Sequence, residues 1–259
     1  MGHIKLKPTI QFEINFHPSE LDDIIIPEES KEIARDYVKS KKLSENDIMI
    51  MMDNKVIYGY DYLYQNKKLI LPEVNPVTIF YSNAIMSSGL LQNYKETLLS
   101  EASVCGKNGQ MIDLNHSGAF FQLAINCIVN LQATLESFAN VVIPHDYLFT
   151  DSLGNPIIPT ISHKLNTSIP EIRSINFKTK FKRYCKHIDA LIQLRNNIIH
   201  LKPVEQTTNT VYKNVYRQLL NFDYHKTIIV VSTFVNFYEP DLLSECGCGN
   251  DFSYDIIKK

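Results

Sequence analysis

Residues 191–203 read LIQLRNNIIHLKP, and the fold class turns on how that stretch divides between apolar and polar positions. On a helical wheel with Arg195 at zero and about 100° per residue, Leu191, Leu194, Ile198 and Leu201 share an arc of about 80°. Arg195, Asn196 and His200 fall outside it, at about 0°, 100° and 140°. The apolar arc predicts the core face of a helix stopped by Pro203, with its polar chemistry on the open side. Asn196 and His200 are four apart and so are neighbours, and the long Arg195 side chain can bend toward them. Ile192 and Ile199 lie between these polar groups. Apolar residues on an open arc predict a covering surface, most simply the same helix of a second copy of the chain.

Outward from this helix the sequence is mostly helical. SINFKTKFKRYCKHIDALIQLRNNIIHLK (174–202) reads as one helix, and VYKNVYRQLL to VSTFVNFYEP (211–240) as a last apolar one. Upstream, followed by a loop that holds Asn155-Pro156 and Pro159 and leads to the helix from 174, stands HSGAFFQLAINCIVNLQATLESFANVVIP (116–144). Its Phe121, Ala124, Cys127, Ile128, Leu131 and Leu135 recur at spacings of three and four, which predicts a stripe facing a bundle interior, and Pro144 ends it. PVTIFYSNAIMSSGLLQNYKETLLSEASV (76–104) is a further long helix, closed by a GKNGQ turn.

The first 74 residues have a different texture. Ile10, Phe12, Ile14 and Phe16 alternate with Gln11, Glu13 and Asn15, the period of two that predicts a strand with one face in a core. Pro27 followed by EESKEIARDYVKSKKL predicts a helix with acids first and lysines last. IMIMM, VIYGYDYLY and LIL, separated by polar turn residues, predict an antiparallel meander. The expected class is therefore mostly α, with an α+β region over 1–74, a helical bundle over 75–245 and a tail from 246.

Composition bounds the function. Lys and Arg number 26 against 28 Asp and Glu, so any surface for nucleic acid must be local. One such stretch is KTKFKRYCKH, with Lys178, Lys180, Lys182, Arg183, Lys186 and His187, and Tyr184 as a base-stacking ring. It reads equally as a solvated helix face. The opening MGHIKLKPTI lacks a signal-peptide core, and the longest apolar run, near TIIVVSTFVNF, is too short to span a bilayer, so no membrane is expected. Five scattered cysteines fit reduced thiols in a cytoplasmic protein. Cys246-Gly-Cys248 has no second ligand pair near it in sequence and reads as tail, so no metal or other cofactor is expected. Nine glycines form no phosphate-cradling loop.

Arg195-Asn196-x-x-x-His200, preceded by LIQL, resembles the R-x4-H motif of HEPN domains, and the helix order over about 115–240 resembles that family's bundle. The resemblance implies a four- or five-helix bundle that pairs as a homodimer about the motif helix, and a metal-independent endoribonuclease of the kind found in toxin–antitoxin and antiviral defence systems. It would make Arg195 and His200 catalytic and Asn196 supporting, with Glu136 as a further polar group from the facing helix, although Glu136 better suits the solvated border of its own helix. An antitoxin or defence-system protein would be the partner beside RNA. The chemistry is coherent without a metal. Attack by the 2′-OH needs a group titrating near neutrality, and histidine's unperturbed pKa is about 6.5. Developing phosphorane charge needs a fixed cation that matches phosphate, which a guanidinium supplies. The products would carry 2′,3′-cyclic phosphate ends. The alternative is a non-catalytic HEPN-like module that uses the same helix to dimerise and scaffolds or senses a partner.

Overall fold

The computed structural model describes residues 2–14, 25–52, 55–102, 114–200 and 212–248. It is mostly helical, with one small antiparallel sheet near the N-terminus. The chain divides into two units, one of residues 6–76 and one of residues 1–5 with 77–259.

In the smaller unit, β1 (Gln11–Glu13), α1 (Glu28–Lys39), β2 (Ile48–Met52), β3 (Lys55–Tyr64) and β4 (Lys67–Pro72) follow in order. β3 is the spine. It pairs with β2 along one edge, while β1 at Lys55–Ile57 and β4 at Gly59–Tyr64 share the other. Gln65 and Asn66, both with positive φ, make the tight β3–β4 turn that suits the twist of a two-residue hairpin. Gly59 is required by close approach, since a Cβ there would run into the Ile50 side chain and lie 2.5 Å from the Leu71 carbonyl oxygen. The expected strand through Phe16 is shorter than the alternation implies. β1 is a three-residue edge strand with exposed residues; Phe12 stacks edge-on against Tyr58 at 5.9 Å rather than entering a core, and Phe16 lies outside the described residues. Alternation reports a pleat, but only a second layer makes a face buried.

Opposite that face a charged cluster closes the sheet. Asp61, exposed over only 2% of its side chain, accepts from Tyr37 and from the Ser44 backbone, and lies 3.6 Å from Lys68, which donates to the Tyr37 and Lys42 carbonyls.

The helical unit comprises α2 (Pro76–Glu101), α3 (Leu114–Val142), α4 (Ile161–His163), a π-helical turn (Lys164–Ser168), α5 (Ile169–Arg173), α6 (Phe177–Lys180), α7 (Lys182–Ile199), α8 (Tyr212–Asn221) and α9 (Tyr224–Tyr238). α3 is its centre: Phe120, Ala124, Cys127, Ile128, Leu131, Leu135 and Phe138 are buried, and α7 and α9 pack against it. Phe120, not Phe121, takes the innermost position; Phe121 is half-buried on Tyr216. By length and composition α3 over Ser117–Val142 is apolar enough to cross a bilayer, which the run at 227–237 is not, yet its buried stripe is what the core of a bundle demands.

Two expected helices are each broken by local capping. Within 174–202, the Asn176 side chain caps α6 and Phe181 leaves helical geometry, so α7 begins afresh at Lys182. Within 211–240, the Asp223 carboxylate accepts from the Lys226 backbone N–H at 3.0 Å and starts α9, separating it from α8. The stretch from Ile161 to Arg173, expected as part of a loop, is helical; the Thr160 hydroxyl caps its start.

The ends of the described chain meet. Ile4 bridges Glu245 in antiparallel fashion, with Lys5 N–H donating to the Ser244 carbonyl and Cys246 N–H to the His3 carbonyl. Residues 1–5 thus join the helical unit rather than the N-terminal region, and Cys246–Cys248 are fastened to it rather than trailing, because backbone groups at both ends satisfy one another.

Candidate functional site

α7 carries the motif. Its buried residues are Ile188, Leu191, Ile192, Leu194 and Ile198, which span about 160° of the wheel rather than the expected 80°. The wider arc follows from neighbours on two sides, since α7 packs against both α3 and α9. Two consequences depart from the sequence reading. Ile192 is covered within the chain itself, at 7% exposure, so it is not left for a second copy. Arg195 points along the middle of the buried arc and is half-buried, while Asn196 and His200 are exposed. Ile199, by contrast, stands 51% exposed beside them.

The site is held at the end of the helix. Arg195 Nη1 donates to Asn196 Oδ1 at 3.3 Å, which draws the guanidinium from the buried arc toward the side where His200 lies. The His200 backbone N–H closes the last turn on the Asn196 carbonyl at 3.0 Å, and the helix stops there. Asn197 Nδ2 reaches Gln218 Oε1 at 3.3 Å and ties the motif end to α8. The partial negative charge of a helix C-terminus favours cations at this end. Leu201, expected on the core face, lies outside the described residues.

Glu136 is half-buried on α3 and accepts from Gln132 Nε2 at 2.8 Å. Among the described residues no hydrogen bond or ion pair joins it to Arg195 or His200. Gln132, which sequence reasoning passed over, is 1% exposed, and its carbonyl oxygen has no partner among the described residues. The signal was its spacing of four from Glu136 on one helix.

The basic residues divide by face. Lys182, Lys186, Gln193 and His200 fall within about 40° of one another on α7, forming an exposed stripe that Asp189 borders. Arg183 lies off it, and Lys178 and Lys180 belong to α6, where the Lys180 ammonium stands 5.6 Å from the Phe181 ring. Tyr184 is half-buried; its ring stacks on Phe181 at 5.5 Å and has the Lys226 ammonium 4.8 Å from its centre, so a base stacking there would compete with these contacts. His187 is half-buried.

Chemically, the end of α7 offers a guanidinium fork, a carboxamide and an exposed imidazole, a set suited to a phosphodiester and to proton movement. No family model, no curated protein and no solved structure matches this chain.

Proposed function

We propose that this chain is a metal-independent endoribonuclease whose helical unit is a HEPN-like four- or five-helix bundle that pairs two copies about α7. The observation that carries the reading is the placement of Arg195, Asn196 and His200 at one exposed helix end beside Ile199, the motif helix's one large apolar side chain that stands mainly in solvent. Covering Ile199 with the same helix of a second copy would bring two Arg/His sets into one cleft.

In that cleft the 2′-oxygen of a ribose forms a bond to phosphorus and the bond from phosphorus to the 5′-oxygen breaks. One imidazole takes the 2′-OH proton and the other delivers a proton to the departing 5′-oxygen. The guanidinium groups hold the non-bridging oxygens as charge builds on them. The Lys182 and Lys186 stripe leads the backbone toward His200. The reading extends to a toxin or antiviral effector held in check by a partner protein.

The test is cleavage of a mixed RNA pool by purified chain in EDTA, beside Arg195→Ala and His200→Ala, with folding followed by circular dichroism. Cleavage giving 2′,3′-cyclic phosphate ends, lost in both variants, supports the proposal. A folded wild type that cuts nothing, with or without divalent metal, transfers α7 to the scaffolding role of a non-catalytic module.

A further inference from the structure

His3, Cys246 and Cys248 form a second constellation, which shares no residue with the end of α7. One ligand-type atom from each lies within 4.8 Å of the others, and Cys248 Sγ stands 3.4 Å from His3 Nε2. His3 is 3% exposed, Cys246 half-buried and Cys248 exposed, so the cluster has an inner wall and one open side. It is not an accident of loose ends. The Ile4–Glu245 bridge and the Cys246 N–H to His3 carbonyl bond at 3.0 Å fix the backbone on both sides of it.

We propose that these three side chains hold one zinc ion, with water as the fourth ligand on the open side. The spacing fits the metal. A tetrahedron with Zn–S of about 2.3 Å and Zn–N of about 2.0–2.1 Å has ligand–ligand edges of about 3.5 Å between sulfur and nitrogen and about 3.8 Å between sulfurs. The observed 3.4 Å between Cys248 Sγ and His3 Nε2 lies close to the first of these. The donor set is chosen for a soft or borderline cation, since thiolate and imidazole suit zinc, whereas calcium and magnesium take oxygen. Neither thiol is joined in a disulfide, so both sulfurs remain able to ligate. Binding would replace the thiol protons by the ion and clamp residue 3 to residues 246–248, across a sequence separation of 245. A pattern search along the sequence misses such a site, because one of its three ligands, His3, stands far from the two cysteines in sequence.

The test is a cobalt(II) titration of the reduced, metal-stripped full chain, followed by back-titration with zinc. Expected are one cobalt per chain, a thiolate-to-cobalt charge-transfer band with the intense visible bands of a tetrahedral site, and their loss on adding zinc. Cys246→Ser and Cys248→Ser should each lower the charge-transfer intensity by about half. Each, like His3→Gln, should weaken zinc binding by more than the ~10–100-fold that an outer-shell change costs. Cys185→Ser, outside the cluster, should leave the spectrum unchanged. The wild-type titration is decisive even where a variant misfolds. A folded, reduced wild type with no charge-transfer band, or a band that survives in both Cys246→Ser and Cys248→Ser, overturns the site.

Discussion

The phenol of Tyr37 donates a 2.6 Å hydrogen bond to Asp61 Oδ2, and each group holds the other in one protonation state. The bond, helped by the Ser44 N–H and by Lys68, keeps the Asp61 carboxyl below the usual carboxylate range. Burial, and then the hydrogen bond to the carboxylate, pushes the Tyr37 phenol up to about 12. The signs are opposite. A depressed carboxylate contributes stability above its unfolded pKa of about 3.9 and loses it as pH falls through the folded value. A raised phenol contributes fully below about 10 and loses its contribution as pH climbs toward the folded value of about 12. Melting temperature against pH should therefore fall at both ends for wild type. Asp61→Asn should melt lower at neutral pH and lose most of the acid-side slope below the ordinary carboxylate pKa of about 3.9. Tyr37→Phe should flatten the alkaline side.

Gly59→Ala should destabilise the small unit by about 1–3 kcal/mol, the usual penalty for forcing atoms into packed space. The new methyl meets the Leu71 carbonyl oxygen, which cannot swing away without breaking the β3–β4 ladder. Urea unfolding read by circular dichroism, with Gly118→Ala as a comparison whose Cβ meets open space on a backbone without positive φ, measures it.

Asp223→Ala should cost about 1 kcal/mol by removing the acceptor that starts α9. Asp223→Asn should restore most of it, because the amide oxygen can accept the same N–H. A chain whose melting temperature ignores both changes would mean that packing alone sets that helix start.

Ile199→Asp should abolish self-association, seen in sedimentation velocity, and with it RNA cleavage. His200→Ala should remain paired while cleavage drops by about 10²–10⁴-fold, the range expected for a lost proton-transfer group. Dimers that persist in Ile199→Asp would place the contact elsewhere.

The helical core was legible because a stripe of period 3.6 is written locally: Ala124, Cys127, Ile128, Leu131 and Leu135 are buried as their spacing requires. The meander was legible for the same reason at period two. What escaped depends on partners distant in sequence. The burial of Ile192 and the half-burial of Arg195 follow from α7 having neighbours on two sides, which no wheel of α7 alone reveals. The breaks at Phe181 and Asp223 are decided by single caps inside otherwise continuous apolar patterns. The Arg195–Asn196 contact was within reach of the sequence, whereas the Tyr37–Asp61–Lys68 cluster and the apposition of His3 with Cys248 join residues with nothing in common until the chain is folded.

The bridge between Ile4 and Glu245 also sets an order of events during synthesis. Ile4 belongs to the helical core, and its hydrogen-bonded neighbours sit at 244–246. The strand pairings of the sheet lie within residues 6–76, but the helical unit cannot be sealed until residues 244–246 have been made. Until then Ile4 waits without its strand partner. A chain that ends before residue 244 would lack the backbone partners of residues 3–5 and leave the buried Ile4 edge of the helical core uncovered.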